Sequence, residues 1–358
     1  MFKSSDSLKA RRFVYAWIMT GVVMLLIQVV LGGITRLTGS GLSITEWDVI
    51  TGTLPPLSNG QWLQEFSKYQ QTPQYRLLNT GFTLDDFKFI FFWEWFHRFW
   101  ARLIGVVFLV GFVWLVSKKY LRKDMRQPLL FLFLMGAFQG LIGWIMVASG
   151  LTGDAIYVKP TRLALHFIFA MILIAYAYWF ALQLKIRKDQ LIIHPKLRTF
   201  AWTITILLLV QLVFGALMAG HKAATAAPTW PDINGSYFPS YAFSGASFIE
   251  DLVSNKITIH FIHRNLAYLL LVMIPYFTYK CLQQRRTDSA FRRAAWWPTI
   301  FVIVQVVLGI FSVLTSLQIV PNEWGSFEWM AQLHQLVGML LLLSMTAMLF
   351  FIRSTRPI

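Results

Sequence analysis

Four histidines stand at matching positions in long apolar segments of the chain. They are His97, His166, His263 and His334, each a few residues into its segment. Two neutral imidazoles from facing helices can bind a haem iron from both sides, and the cores of helix bundles are common places for such cofactors. Zinc or copper would usually demand three or four close ligands, which two histidines per site cannot supply. The spacing therefore predicts two haem sites.

The same histidines have a plainer interpretation, because a single histidine in an apolar helix is more often a hydrogen-bonded packing residue. Four at one depth, on alternate segments, favour function, since ionisable groups inside a membrane are costly. The aromatic residues around the first histidine also have two interpretations, since they suit either the wall of a porphyrin site or a lipid-facing surface. These are Phe91, Phe92, Trp93, Trp95, Phe96, Phe99 and Trp100.

The segments that carry the histidines are long enough to cross a bilayer. Of the 358 residues, 56% are hydrophobic and 13% charged, which predicts an all-α integral membrane protein rather than a soluble domain. At about 20 residues per crossing, the predicted spans are residues 13–34, 89–116, 128–148, 162–184, 199–219, 257–280, 296–317 and 328–352. The first span has no cleavage pattern, so we interpret it as a retained helix rather than a signal peptide.

The net charge of +16 reflects topology rather than nucleic-acid binding. Lysines and arginines cluster at Lys3 to Arg12, after spans 2, 4 and 6, and at Arg353 and Arg356, all on one side of the predicted membrane. The positive-inside rule then predicts a protein of the bacterial cytoplasmic membrane with both termini in the cytoplasm and loops 36–88 and 220–256 outside. The basic residues are expected to contact anionic lipid. The single Cys281 excludes an intrachain disulfide.

Two motifs repeat along the chain. Gln-x-x-x-Gly occurs once in each odd-numbered span, and Gln and Gly four residues apart share a helix face that can pack closely against another helix. The motif begins at Gln28, Gln139, Gln211 and Gln305. EWFHR at 94–98 matches HFIHR at 260–264, and an LH pair recurs in spans 4 and 8. These repeats predict two four-helix halves, residues 1–190 and 191–358.

Glu94 breaks the repeat, because its counterpart in the second half is His260. Glu94 lies three residues before His97 and shares its helix face. A lone buried carboxylate is costly unless it is paired or protonated, and beside a cofactor it is a candidate acid or base. The alternative is an ion pair with Arg98 at i+4. His260 is an alternative ligand in the second half, although alignment with His97 favours His263.

Three arginines near the histidines have two interpretations. Arg98 and Arg264 directly follow the paired histidines, and Arg102 lies one turn beyond Arg98. They could pair with haem propionates or extend to lipid phosphates. His221 and Lys222, near the second site, have no role that their spacing indicates.

Over all eight spans the chain resembles the haem A synthase family, the membrane enzymes that oxidise haem O to haem A for cytochrome oxidase. The stretches that carry the resemblance are GGITRLTGSGLSITEW (Gly32 to Trp47), ITGTLPPL (Ile50 to Leu57), FKFIFFWEWFHR (Phe87 to Arg98), ALHF at His166, FIHR at His263 and QLHQ at His334. The resemblance implies a pseudo-twofold pair of four-helix bundles. It also implies substrate haem O between His97 and His166, and haem b between His263 and His334.

The resemblance further implies the reaction. Glu94 would take part in oxidising the C8 methyl of haem O, through an alcohol, to the formyl group of haem A. Water would supply the oxygen, and haem b would relay the electrons to an acceptor that the sequence does not identify, the quinone pool being one option. Haem O synthase and cytochrome oxidase assembly factors are expected partners, and a homo-oligomer is left open.

The first outer loop places the chain with the family members that lack the loop cysteines and have a longer loop. A capping pattern at Thr83 to Asp86 predicts the start of a helix. A surface helix is predicted before it, with Trp62, Phe66 and Tyr69 on one side.

Two other classes are weighed against the enzyme. A dihaem electron carrier of the cytochrome b561 kind would place one haem near each face of the membrane, whereas all four histidines are predicted near the outer face. A transporter with an inverted repeat would have broken helices at the middle of the membrane, whereas halves with an even number of spans share one orientation.

Overall fold

The computed structural model describes residues 8–46, 51–284, 288–319 and 323–355. Within these ranges, eight helices are long and apolar enough to span a membrane, which confirms the prediction of an all-α integral membrane protein. They are α1 (Leu8–Leu37), α4 (Leu84–Ser117), α5 (Lys123–Ala148), α6 (Pro160–Lys185), α7 (Pro195–His221), α9 (Lys256–Leu282), α10 (Ser289–Leu314) and α11 (Ser326–Phe351). Trp47 and Ile50 of the resemblance, and Lys3 and Arg356 of the basic clusters, lie outside the described residues.

Short elements connect the spanning helices. Three are the α-helices α2 (Asn59–Gln70), α3 (Pro73–Leu78) and α8 (Phe248–Ser254), and three are single 3-10 turns, Thr51–Thr53, Lys188–Gln190 and Ala223–Ala226. A two-residue strand, β1 (Ile192–Ile193), pairs in parallel with β2 (Ile352–Arg353). The segments 38–46, 51–83 and 222–255 lie at one end of the assembly, which we call the long-loop end.

Most helix boundaries lie one to seven residues from those of the predicted spans, the start of α10 at Ser289 by the most. Helix α4 begins at Leu84, five residues earlier than predicted, because Thr83 and Asp86 form a capping box: Thr83 N donates to Asp86 Oδ2 at 2.8 Å, and Asp86 N donates to Thr83 Oγ1 at 3.3 Å. The predicted capping pattern is thus confirmed. Helix α10 ends at Leu314, three residues before the predicted boundary.

The spanning helices pack as two groups of four. In one group α1 contacts α4 and α6, and α5 contacts α6; in the other α7 contacts α9, and α10 contacts α9 and α11. The groups meet where α6 contacts α7 and where α11 contacts α1 and α6. The second half of α11 is buried almost continuously from Gly338 to Phe351, as expected for a helix at the centre of the assembly. The boundary between the halves near residue 190 stays a prediction.

Side-chain amides join the first and last spanning helices. Gln332 Nε2 of α11 donates to the carbonyl of Val30 at 3.2 Å, and Gln335 Nε2 donates to that of Val29 at 2.8 Å. In a medium without water such interhelical hydrogen bonds each contribute about 0.6 to 2 kcal/mol to association. They hold α1 against α11 close to the histidines.

The predicted surface helix of the first loop forms as α2, but its aromatic side is covered by protein. Tyr69 is fully buried, and its ring centroid lies 5.3 Å from that of Phe87 at the start of α4. Trp62 packs edge-on against Phe91 at 5.1 Å. Burial of these rings holds the long first loop against α4.

Alkaline pH is expected to loosen this loop before it affects the spanning helices. Burial raises the pKa of Tyr69 from 10.0 to about 12. Because the phenol of the unfolded segment ionises first, the stability of the segment falls as pH rises from 10 to 12 and is unaffected below pH 10. Hydrogen exchange of α2 and α3 measures the effect. In Tyr69→Phe the dependence should vanish, and its persistence there would contradict the assignment.

Candidate functional site

A cavity of about 1290 Å³ lies among the spanning helices. All four histidines line it, as do Glu94, Arg98, Arg102, His260 and Arg264, and every one of the eight spanning helices contributes residues. Pockets for drug-sized ligands usually measure about 300 to 1,000 Å³. A single continuous cavity of this size has room for more than one large ligand.

Each histidine rests against a Gln-x-x-x-Gly motif of the neighbouring odd-numbered span. For His97 the motif is on α1: Gln28 Nε2 donates to the His97 carbonyl at 3.2 Å and lies 3.1 and 3.2 Å from the two ring nitrogens. An ideal Cβ on Gly32 would lie 3.1 Å from His97 Cε1. The glycine therefore leaves the space that the imidazole occupies.

The second histidine of the first half is held in the same way. Gln139 Nε2, on α5, donates to the carbonyl of His166 at 3.1 Å and lies 3.2 Å from its Nδ1. A Cβ on Gly143 would lie only 2.9 Å from His166 Cε1. Such a contact is shorter than the packing of real side chains allows, so a larger residue would displace the ring.

In the second half, His263 repeats this arrangement. Gln211 Nε2 on α7 donates to the His263 carbonyl at 2.9 Å, and a Cβ on Gly215 would lie 3.1 Å from His263 Cε1. The Nδ1 of His263 is buried without a hydrogen-bond partner, as are the amide oxygens of the four motif glutamines. Orphaned polar atoms around a cavity are a sign of a missing ligand or water.

His334 differs in one respect. Its Nδ1 donates to the backbone carbonyl of Gln305 at 3.0 Å, and a Cβ on Gly309 would lie 2.9 Å from its Cε1. This hydrogen bond fixes the tautomer that carries its proton on Nδ1, which leaves Nε2 free to bind a metal. The Gln305 amide lies 3.3 Å from that Nε2.

The sequence analysis treated the Gln-x-x-x-Gly motifs as helix packing and did not connect them with the histidines. The sequence did contain a signal for this connection, because every motif stands on the span directly before a span that carries a histidine. The contacts show that the motifs position the histidine backbone and ring.

The distance between His263 and His334 fits a shared iron. Their ring centroids are 6.3 Å apart, with an angle of 75° between the ring planes. Two imidazoles on opposite sides of one metal, each at about 2.0 to 2.1 Å, have centroids about 6 to 6.5 Å apart. Among the described residues no group of three or more His, Cys, Asp or Glu side chains could hold a bare metal ion. The residues therefore fit a haem better than zinc or copper.

Glu94 is buried, but it is not a lone carboxylate. Its Oε2 accepts hydrogen bonds from Ser43 N at 2.7 Å, Ser43 Oγ at 2.8 Å and Ile44 N at 3.0 Å. Its Oε1 pairs with Arg98 Nη2 at 2.6 Å. The ion pair considered from the sequence thus exists, and it holds the carboxyl group at the edge of the cavity, one turn from His97.

Arg98 and Arg264 each tie a loop at the long-loop end to the helix that carries a histidine. Arg98 donates to the carbonyls of Glu46 at 3.0 Å and Ile44 at 3.2 Å, in addition to Glu94. Its side chain is only 11% exposed. Neither arginine extends to lipid phosphate, since Arg264 is also buried.

Arg264 makes the same kind of contacts as Arg98, with a histidine in place of the carboxylate as its partner. Arg264 donates to the carbonyls of Thr229 at 2.8 Å, Pro231 at 3.1 Å and Asp232, and to His260 Nε2 at 2.9 Å. Glu94 and His260 are therefore equivalent as partners of an arginine four residues later. They differ in charge, because Glu94 brings a carboxylate to the first site and His260 does not.

Replacing Arg264 by glutamine is expected to release the second loop. Three loop carbonyls would lose their donor, so stability should fall by at least about 1.5 to 3 kcal/mol, the value of one hydrogen bond to a charged group. The loop at residues 229–235 should become sensitive to protease, while the second haem stays bound. Loss of haem with an intact loop would instead identify Arg264 as a propionate ligand.

Other residues singled out from the sequence lie elsewhere. Of the seven aromatic residues around His97, all of them described, only Trp93 lines the cavity, so of the two interpretations a porphyrin wall applies to Trp93 alone. Others pack against protein, as Phe91 does against Trp62 and as Trp100 Nε1 does by donating to the carbonyl of Met24 at 2.9 Å. His221 Nε2 donates to the carbonyl of Val253 at 2.7 Å, and Lys222 Nζ donates to Tyr157 Oη at 2.7 Å. Both residues join loops at the long-loop end.

Known proteins are similar to this chain over nearly its whole length. It is 38% identical over 342 residues to a protein of Flavobacterium johnsoniae named heme A synthase, which covers 94% of this chain and 97% of that one. It is 36% identical over 349 residues to the heme A synthase of Flavobacterium psychrophilum, covering 95% and 98%. It is 40% identical over 318 residues to that of Parvibaculum lavamentivorans, covering 88% and 90%.

A family of proteins matches as well. The COX15-CtaA family, described as cytochrome oxidase assembly protein, matches residues 15–346, a range that includes all four histidines and their Gln-x-x-x-Gly motifs. The chain belongs to the COX15-CtaA family of cytochrome oxidase assembly proteins.

Proposed function

We propose that this protein is a haem A synthase, which oxidises the C8 methyl group of haem O to the formyl group of haem A. The observation that carries the proposal is an asymmetry. Two pairs of histidines, held by the same motif, open onto one cavity, and among the described residues Glu94 is the carboxylate that lies one turn from a histidine, whereas the cavity-lining Glu328 stands six residues before His334. One site is therefore equipped for proton transfer, and the other for holding a cofactor.

The residues are assigned to two haems. His97 and His166 hold the substrate haem O, and His263 and His334 hold haem b. The separation of the second pair supports this assignment, as does the free Nε2 of His334. When bound, haem b supplies a one-electron relay next to the substrate.

The reaction determines what the protein must supply. Conversion of a methyl to a formyl group takes one oxygen from water and releases four electrons and four protons, in two steps through the alcohol. Glu94 accepts protons at the first site, since its carboxyl group borders the cavity one turn from His97. Ser43 and Ile44 fix the direction of that carboxylate, and the apolar cavity excludes bulk water.

The proposal extends to the cell. The protein lies in a bacterial cytoplasmic membrane with the long-loop end outside, because the described basic clusters lie at the opposite end. Haem O synthase supplies the substrate, cytochrome oxidase assembly receives the product, and the quinone pool is the proposed electron acceptor.

Haem analysis tests the proposal. The protein is purified from cells that make haem O, and the extracted haems are separated into b, O and A types. We expect haem b together with haem O or A, and loss of haem b alone in His334→Ala. Protein that contains only haem b at both sites would favour an electron carrier, and protein with no haem would refute both assignments.

A further inference from the structure

The seam between α4 and α5 differs from the rest of the helix packing. Helix α4 packs along α1, and α5 packs along α6, but α4 and α5 approach each other at few positions. Phe108 and Phe133 stack across the seam with centroids 5.9 Å apart. On the long-loop side of this pair the seam is bordered by small residues.

The residues that border this part of the seam are small and line the cavity. Gly105 of α4 and Gly136 of α5 both line it, and an ideal Cβ on either would meet no atom within 4 Å. Ala101 and Gly140 line it as well. Because neither helix brings a large side chain into the seam at these positions, little protein separates the first site from the outer surface between α4 and α5.

The equivalent seam of the second half is closed. Counted from the histidine and glutamine of each half, Leu271 and Val302 occupy the positions of Gly105 and Gly136. Val302 is 2% exposed and belongs to the main hydrophobic core, against which Leu271 packs. Helices α9 and α10 are therefore joined by packed side chains where α4 and α5 leave a gap.

Hydrogen bonds also join α9 and α10 farther from the long-loop end. Thr278 Oγ1 of α9 donates to the carbonyl of Ala295 on α10 at 2.9 Å, and Thr299 Oγ1 donates to Thr278 Oγ1 at 2.9 Å. The two halves thus share their histidine motifs and differ in lateral access.

We infer that the α4–α5 seam is a lateral portal, through which a porphyrin with a hydrocarbon chain passes between the bilayer and the first histidine pair. This inference rests on the proposed function, and it adds the route and the subsite for the chain of the substrate. The closed seam of the second half keeps its haem resident.

The chemistry of the seam fits such a ligand. No charged residue occurs between Arg102 and Lys118 on α4, or between Arg126 and the end of α5, so the portal is bordered by apolar groups at membrane depth. Its flanks face outward with large apolar side chains, Val106 at 55% and Leu134 at 54% exposed. Behind it, the buried amide oxygens of Gln28 and Gln139 have no hydrogen-bond partner, as expected of a cavity that receives a ligand.

Closing the portal tests the inference. The double variant Gly105→Leu with Gly136→Val places the residues of the second half in the first, where open space receives them. Protein in liposomes is mixed with liposomes that contain haem O, whose isoprenoid chain keeps it in the bilayer. We expect haem O to reach the first site at least about 10-fold more slowly than in the wild type, with haem b content unchanged as evidence of folding.

A matched variant controls for added bulk. Val106→Leu with Leu134→Phe enlarges the lipid-facing neighbours of the two glycines and should load at the wild-type rate. Equal loading by wild type and the Gly105→Leu, Gly136→Val protein would overturn the portal. If the wild type itself takes up haem O but never converts it, the proposed function fails while the portal stands.

Discussion

Formation of haem A is expected to fall by about 10²- to 10⁴-fold when Glu94 is replaced by glutamine, because that is the usual contribution of a positioned acid or base. Glutamine keeps the shape of the side chain and an oxygen that can accept from Ser43 and Ile44. It cannot accept a proton, and it removes the ion pair with Arg98. The ratio of haem O to haem A in extracts measures the loss, and haem b content reports folding.

A second substitution separates the chemistry of Glu94 from its contact with Arg98. Glu94→His installs the pair that the second half already uses, in which His260 Nε2 accepts from Arg264 at 2.9 Å. The loop at Ser43 to Glu46 should then stay ordered, while conversion stays low because the carboxylate is absent. Wild-type yield from Glu94→His would show that Glu94 serves only as the partner of Arg98.

The architecture was predictable because it depends on length and on local patterns. Apolar runs long enough to cross a bilayer predict spanning helices whatever their neighbours are. The start of α4 at Thr83 could be read from its capping pattern, since both partners of a capping box lie within four residues. Where each span ends was less predictable, as α10 shows, because its helix stops at Leu314 while the apolar run continues past it.

The residues that line the cavity were more predictable than the contacts that support them. Glu94 and Arg98 are four residues apart on one helix, so their ion pair followed from spacing. The contacts of Arg98 with Ile44 and Glu46 could not be derived, because they join residues more than fifty positions apart through the path of a loop. Likewise, the rotation of each helix decides which aromatic residues face the cavity, and a segment apolar on all sides does not reveal it.

The histidines of both halves are held by the same motif, but different residues surround them. This combination explains how one fold could treat two haems differently. The glycine contacts of His166 and His334 are nearly the same, so the space left for the rings does not separate the sites. The differences lie around them, in the carboxyl group near His97 and in the packing of the seam beside it. On the proposed assignment, these differences would confine proton transfer and exchange with the bilayer to the first half.

The glycines that face the histidines give the second large effect. A Cβ on Gly309 would lie 2.9 Å from His334 Cε1, so Gly309→Ala should displace the imidazole and weaken haem b binding by about 10- to 100-fold, as loss of a support behind a metal ligand does. Gly143→Ala should act equally on the first site through His166 and leave haem b bound. Titration of each apoprotein with haem, followed by absorption, measures both.

Gly309→Ala should strengthen helix α10 while it weakens haem binding, so the two effects can be told apart. Alanine in place of an interior glycine stabilises a helix by up to about 1 kcal/mol, so a misfolded helix does not account for weaker haem binding in Gly309→Ala. Gly21→Ala is the matched control, because an ideal Cβ there meets nothing within 4 Å and Gly21 also lines the cavity. If Gly309→Ala bound haem b as tightly as Gly21→Ala, Gly309 would be only a packing residue of α10. His334 would then be positioned by Gln305 alone.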